Sequence, residues 1–225
     1  MWQVVGQSRV VSLLQRSLEK GTLSHAYLLV GPPHVGKMTL ALNLAQALNC
    51  QAAEPPCGLC DSCQKIASGK HADVRIIGLN SNGNSTEAKL RIEIGIDQIK
   101  EVQHSSSLPP FEGKYKVFII DGAELLSNEA ANCLLKTLEE PVGGVIFILL
   151  ATNDLILPAT VVSRCQRLEL HPIAISQVEA ALSERQGIEP PEVELLARLC
   201  HGCLGWALSA AVDDSLLQQR AERID

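Results

Sequence analysis

The stretch Ala26-Tyr27-Leu28-Leu29-Val30-Gly31-Pro32-Pro33-His34-Val35-Gly36-Lys37 decides how this chain folds. Its first five residues form an unbroken apolar run, short enough for one strand and apolar enough to be covered on both faces of a parallel sheet. The segment from Gly31 to Gly36 breaks that run, and 37–48 then takes up helical spacing, with Leu40, Leu42, Leu44 and Ala45 available for packing. A glycine-bounded loop between a strand and a helix is the setting in which backbone amides surround phosphate oxygens. Gly31 and Gly36 permit the tight turn, the helix offers its positive end, and Lys37 can reach terminal phosphates. The loop, with Pro32, Pro33, His34 and Val35 inside it, predicts a phosphate cradle.

The pattern repeats outward. Helical spacing covers 10–18, with Gly21 as its stop, and further helices are expected at 96–103 and at 128–140, the latter closed by Pro141. Largely apolar runs at 74–77, 116–120 and 145–150 predict strands, and 166–170 is a candidate for a fifth. Strands alternating with helices imply a parallel sheet covered on both faces, an α/β class. Beyond His171-Pro172 only helices are expected, at 176–186, 191–201 and 205–219. The reading is therefore an α/β domain over 1–171 and a three-helix domain over 172–225. Residues 80–89, rich in Asn, Ser, Gly and Thr, are expected to form a mobile loop.

Composition narrows the function classes. Of the 225 residues, 46% are hydrophobic and 20% charged, enough for a sizeable core. Aromatics make up 3%, which argues against stacking platforms for single-stranded nucleic acid. A net charge of −6 argues against a protein that binds DNA through its own basic surface. No apolar stretch approaches the ~20 residues of a membrane helix. The first residues lack the features of a signal peptide, so a cytoplasmic setting is expected. There the 8 cysteines stay reduced, and a cysteine cluster points to metal rather than disulfides.

Hydrolytic chemistry has gaps. A P-loop lysine is ordinarily followed by Ser or Thr, whose hydroxyl holds magnesium; here it is followed by Met38, and a thioether is a poor ligand for a hard cation. Thr39 lies about 100° further round the helix and should not substitute. Val117-Phe118-Ile119-Ile120-Asp121 is an apolar strand ending in a carboxylate suited to hold the metal. The next position, where a hydrolysing enzyme places a water-orienting glutamate, is Gly122, and Glu124 would have to reach around the strand end. Phosphate binding is expected to survive these changes. Efficient magnesium-dependent hydrolysis is not, and whether ATP or ADP fills the loop stays open.

Cys57, Cys60 and Cys63, with Cys50 a short way before them, supply four thiols to a segment, 50–63, that lacks core periodicity. Four thiolates suit tetrahedral zinc in a structural site, and the metal would fold the insertion. An iron–sulfur reading lacks the further Cys-Pro that such proteins add. Cys200 and Cys203 lie outside the strand-to-helix setting of a redox pair. Cys133 and Cys165 read as packed apolar groups.

Val5-Gly6-Gln7, His25-Ala26-Tyr27-Leu28, Asn132-Cys133-Leu134-Leu135-Lys136-Thr137-Leu138-Glu139-Glu140-Pro141, Ala151-Thr152-Asn153 and Ser163-Arg164-Cys165 together resemble bacterial DNA polymerase III clamp-loader subunits of the AAA+ class. Met38, Gly122 and Gly205, the last in the lid motif 202–208, resemble the delta-prime branch more than the gamma/tau motors. The resemblance implies a P-loop AAA+ sheet with a zinc module at about 50–63 and a helical lid, and a C-terminal collar domain for which the chain leaves no room. It implies Asn153 as a sensor of the γ-phosphate and Arg164 as an arginine finger offered in trans. It also implies gamma/tau and delta subunits, a sliding clamp and, indirectly, primer-template DNA as partners. Two other readings remain: a true ATPase motor whose magnesium is held by Asp121 and Thr39 through water, and a non-replicative AAA+ interaction module.

Overall fold

A computed structural model describes residues 1–79, 93–184, 188–213 and 215–216. Five parallel strands, β1 (Ala26–Val30), β2 (Val74–Ile77), β3 (Lys116–Asp121), β4 (Val145–Ala151) and β5 (Gln166–Glu169), form one sheet in the order β2-β3-β4-β1-β5. Each expected strand is present. β1, β3 and β4 are buried almost end to end, which is why their sequences read as continuous apolar runs.

Successive side chains point to opposite faces, so the sheet carries two cores. Leu28, Phe118 and Phe147 face one side, where the two rings stack with centroids 5.4 Å apart. α4 (Ile96–Ser106) and α5 (Asn128–Glu139) cover that face. Tyr27, Leu29, Ile119 and Ile148 face the other, covered by α1 (Ser8–Lys20) and α2 (Lys37–Asn49). α1 ends at Gly21, whose φ of 64° is the left-handed cap glycine adopts without strain. α5 starts where the Ser127 hydroxyl accepts from the Ala130 amide, satisfying one of the helix's free donors.

The chain departs from expectation in places. Residues 50–63 are expected to lack a core, yet their end enters a helix, α3 (Asp61–Ala67), that buries Cys63 and Ile66. Buried polar groups fasten α3 to α2: Asn43 donates to Gln46, and Gln46 donates to the carbonyl of Cys63 at 3.0 Å. A four-residue helix, α6 (Ala159–Val162), precedes β5. Helices α7 (Ile175–Ser183), α8 (Pro190–Leu199) and α9 (Leu204–Ala210) share a third core around Val178, Leu182 and Leu196. The helix expected over 205–219 stops at Ala210, and a turn follows it. The loop expected at 80–89 lies outside the described residues. Among the described residues, no helix is long and apolar enough to cross a membrane.

Candidate functional site: a phosphate cavity and an outlying arginine

β1 delivers the 31–36 loop to the C-terminal edge of the sheet, and α2 leaves from it. Gly31 is required by close approach, since a Cβ there would sit 2.5 Å from the Leu170 carbonyl. Gly36 has φ 104° and forms the N-cap of α2. Val35 is buried in the core beneath the loop. Above it lies a cavity of about 370 Å³ lined by Pro33, His34, Gly36, Lys37, Met38, Thr39, Asp121, Gly122, Glu124, Thr152 and Gly205, among others. The structure thus gathers most of the sequence-predicted phosphate residues, with Asp121, around one space.

The Lys37 ammonium donates to the carbonyls of Gly31 and Pro32, the latter at 2.9 Å. Burial lowers its pKa, opposed by the negative charges of Glu124 and Asp121. Asp121 keeps an exposed edge, yet loss of water raises its carboxyl above the ordinary aspartate value; Lys37 works against that rise and Glu124 adds to it. Glu124 therefore reaches the site, contrary to the expectation that the strand end would hold it away. Gly122, at φ 77°, turns the chain back into a single 3₁₀ turn, 123–125, which carries the side chain to the cavity. One Glu124 oxygen accepts from the amide and hydroxyl of Thr152; the other is buried without a hydrogen-bond partner.

These residues fit a nucleotide's phosphates: a lysine, a glycine-lined turn and a thirteen-residue helix pointing its N-terminus into the space. For an accompanying magnesium ion, the unpartnered Glu124 oxygen and Asp121 offer hard oxygen donors. Met38 packs partly into the core and brings only sulfur, while Thr39, one residue on, does line the cavity.

The helical segment closes over the loop by a backbone contact: the Gly205 amide donates to the His34 carbonyl at 2.9 Å, and His34 holds φ 62° to present it. A Cβ on Gly205 would lie 2.8 Å from that oxygen, so any side chain there must push the two apart.

Two predicted residues stand elsewhere. Asn153 caps the short turn 154–156, accepting from the Leu155 amide at 2.9 Å, and it is Thr152 that lines the cavity. Arg164 precedes β5, and β5 runs parallel to β1. It therefore lies at the N-terminal edge of the sheet, away from the chain's own phosphate loop at the C-terminal edge. Its Nη2 pairs with Glu139 Oε1 at 2.6 Å, and Nη1 donates to the Thr160 carbonyl at 2.8 Å.

The four cysteines converge as expected. Their sulfurs all lie within 4.8 Å of one another, and the Cys50–Cys60 and Cys57–Cys63 pairs are each 4.0 Å apart. The edge of a tetrahedron with 2.3 Å metal–sulfur bonds is about 3.8 Å, so the cluster suits a four-coordinate metal. Backbone amides of Cys60 and then Leu59 donate to Cys57 and pull its thiol down to about 6.

A family described as DNA polymerase III, delta subunit, matches residues 6–174. The Escherichia coli K12 DNA polymerase III subunit tau is 37% identical over 213 residues, 92% of this chain and 31% of that protein. The Bacillus subtilis 168 subunit delta' is 33% identical over 219 residues, 97% of this chain and 63% of that protein. The chain thus spans less than two thirds of the length of these relatives. Among solved structures, a DNA polymerase III gamma subunit-related protein from Thermotoga maritima superposes with TM-score 0.60 at 21% identity, over 88% of this chain and 57% of that one. The Thermotoga maritima RuvB Holliday junction branch migration motor does so with TM-score 0.56 at 19% identity, over 95% of this chain and 64% of that one, a likeness of fold. With most of the chain matched, and with a P-loop at the head of a parallel sheet, the chain belongs to the DNA polymerase III delta-subunit family of AAA+ clamp-loader subunits.

Proposed function

We propose that this chain is a delta-prime-like clamp-loader subunit that binds nucleotide, does not hydrolyse it effectively, and offers Arg164 to the ATP of a neighbouring gamma/tau-type subunit while a sliding clamp is loaded onto primer-template DNA. The observation that supports this reading is the cavity itself: it keeps Lys37 and its glycine turn but is lined by Met38 and Gly122, which bring neither a hydroxyl nor a carboxylate. The position of Arg164 at the other edge of the sheet, away from this chain's own phosphate loop, supports a role toward a phosphate outside the chain. Residues 1–171 would act as the nucleotide-binding domain and 172–225 as its lid, in a hetero-oligomeric ring with gamma/tau and delta subunits, in the cytoplasm. The four cysteines would hold a structural zinc ion; one equivalent of zinc, absent from Cys57→Ser, is expected by elemental analysis, and a cysteine-rich segment that stays ordered without metal would count against it.

A second reading, a gamma/tau-like motor, is favoured by Glu124, which adds a carboxylate beside Asp121, and by the 37% identity to a tau subunit. Steady-state hydrolysis and nucleotide binding, each with and without magnesium, separate the two. The first reading expects binding with little magnesium dependence and negligible turnover. Magnesium-dependent turnover at motor-like rates, abolished by Glu124→Gln, would establish the second.

A further inference from the structure

The corner that holds Arg164 contains a residue with an unfavourable local position. Glu139 closes α5, in the helix's last turn, where a carboxylate faces the negative end of the helix dipole. Glu140, the next residue, adds a second negative charge there, and Lys136 is the basic group of that turn. Charge at the helix end does not explain Glu139. Its partner does: the Arg164 guanidinium lies against it at 2.6 Å.

The grip comes from two separate elements. Glu139 on α5 takes Nη2, and the Thr160 carbonyl on α6 takes Nη1 at 2.8 Å. These use two of the five N–H groups of a guanidinium. The structure gives the remaining three no partner among the described residues, and the side chain is 34% exposed. An ion pair this open to solvent contributes little to stability. What it does is restrict a long side chain to one orientation, which removes the cost of ordering it when a phosphate arrives.

We infer that Glu139 is the positioning residue for Arg164: with the Thr160 carbonyl it holds the guanidinium in place while three N–H groups stay available to a phosphoryl group on a neighbouring subunit. The inference rests on the reading of Arg164 as a finger acting in trans. The pair persists while the finger works, because the phosphoryl group would engage donors that Glu139 leaves free.

The test uses the full-length protein reconstituted with its ATP-hydrolysing tau-type subunit, measuring kcat and KM for ATP. Glu139→Ala is expected to lower kcat about 10²-fold, the scale of a misplaced catalytic group, with KM unchanged. Glu139→Gln keeps an acceptor and is expected to lose only several-fold; it carries the test if the alanine variant fails to fold, as thermal unfolding will report. On an Arg164→Ala background, Glu139→Ala should cost nothing further, because it acts through Arg164. If Arg164→Ala leaves hydrolysis intact, the finger reading falls and this inference with it. If Arg164→Ala abolishes stimulation while both Glu139 variants keep the wild-type rate, the positioning role alone is overturned. The same holds if Glu139→Ala accelerates hydrolysis, as a released latch would, or if its loss persists on the Arg164→Ala background.

Discussion

The phosphate cavity and the Arg164 corner occupy opposite edges of one sheet and hold their charges differently. In the cavity Lys37, Asp121 and Glu124 share a partly dehydrated space, where burial depresses the lysine and raises the aspartate. At the corner a single cation is held by one carboxylate and one carbonyl, with a third of its side chain in solvent. The cavity is lined by Lys37 and a glycine turn that fit phosphate and by the carboxylates of Asp121 and Glu124, while Met38 and Gly122 add no side-chain oxygen to it. On the proposed reading, that corner is where the chain offers a cation to its neighbour. On the same reading, a chain can lose a motor's chemistry while keeping what a neighbouring motor needs, because the two sets of residues do not overlap.

The largest effect expected from breaking this contrast is at the corner. If Arg164 is the proposed finger, Arg164→Ala should reduce ATP hydrolysis by the reconstituted assembly by at least ~10³-fold, while nucleotide affinity of this chain stays as it was. A comparable drop in this chain's own nucleotide binding would mean that the two edges are coupled and the contrast false.

Much of this was legible in the sequence, and the exceptions have physical reasons. The central strands could be read because a sheet covered on both faces demands unbroken apolar runs, and Ala26–Val30 and residues 117–120 supply them. The loop from Gly31 to Lys37 could be read because few other settings want glycines at both ends of such a turn. The cysteine cluster could be read from thiol spacing, but α3 could not: a seven-residue helix is too short for its period to stand out, and its anchors Asn43 and Gln46 are polar. The reach of Glu124 around the strand end could not be read, because it depends on Gly122 at φ 77° folding the chain back. Thr152 and Asn153 are neighbours at a strand end, and sequence could not say which side chain the turn at 154–156 would take as its cap. The pairing of Glu139 with Arg164 joins residues on different elements and exists only in space.

The same left-handed glycine sharpens the contrast. Placing the absent glutamate at 122 by Gly122→Glu does not rebuild a motor, because that backbone disfavours any side chain, by about 1–2 kcal/mol. A Cβ there would also lie 3.0 Å from Leu125 Cδ1. Chemical denaturation should show a loss of that size, with hydrolysis by the isolated chain still negligible. An undiminished midpoint together with turnover would mean that this turn rearranges freely, and that position 122 is a missing group and nothing more.

The smallest effect concerns what the cavity costs the fold. Asp121 has its carboxyl raised by burial, so the folded protein holds its proton to higher pH than the unfolded chain. For an acid shifted in that direction, stability falls as pH rises from the ordinary aspartate value, about 3.9, through the raised folded value, and the whole penalty remains above it. At neutral pH Asp121 is thus a burden, and Asp121→Asn should stabilise the chain. Because Asp121 keeps an exposed edge, solvent screening limits the gain to about 0.5 kcal/mol. Urea midpoints of the two proteins should therefore differ at pH 7 and converge toward pH 4 and below. A destabilised Asp121→Asn protein at pH 7 would instead make Asp121 a structural partner of Lys37, and the cavity an ion-paired element of the fold with no poised phosphate site.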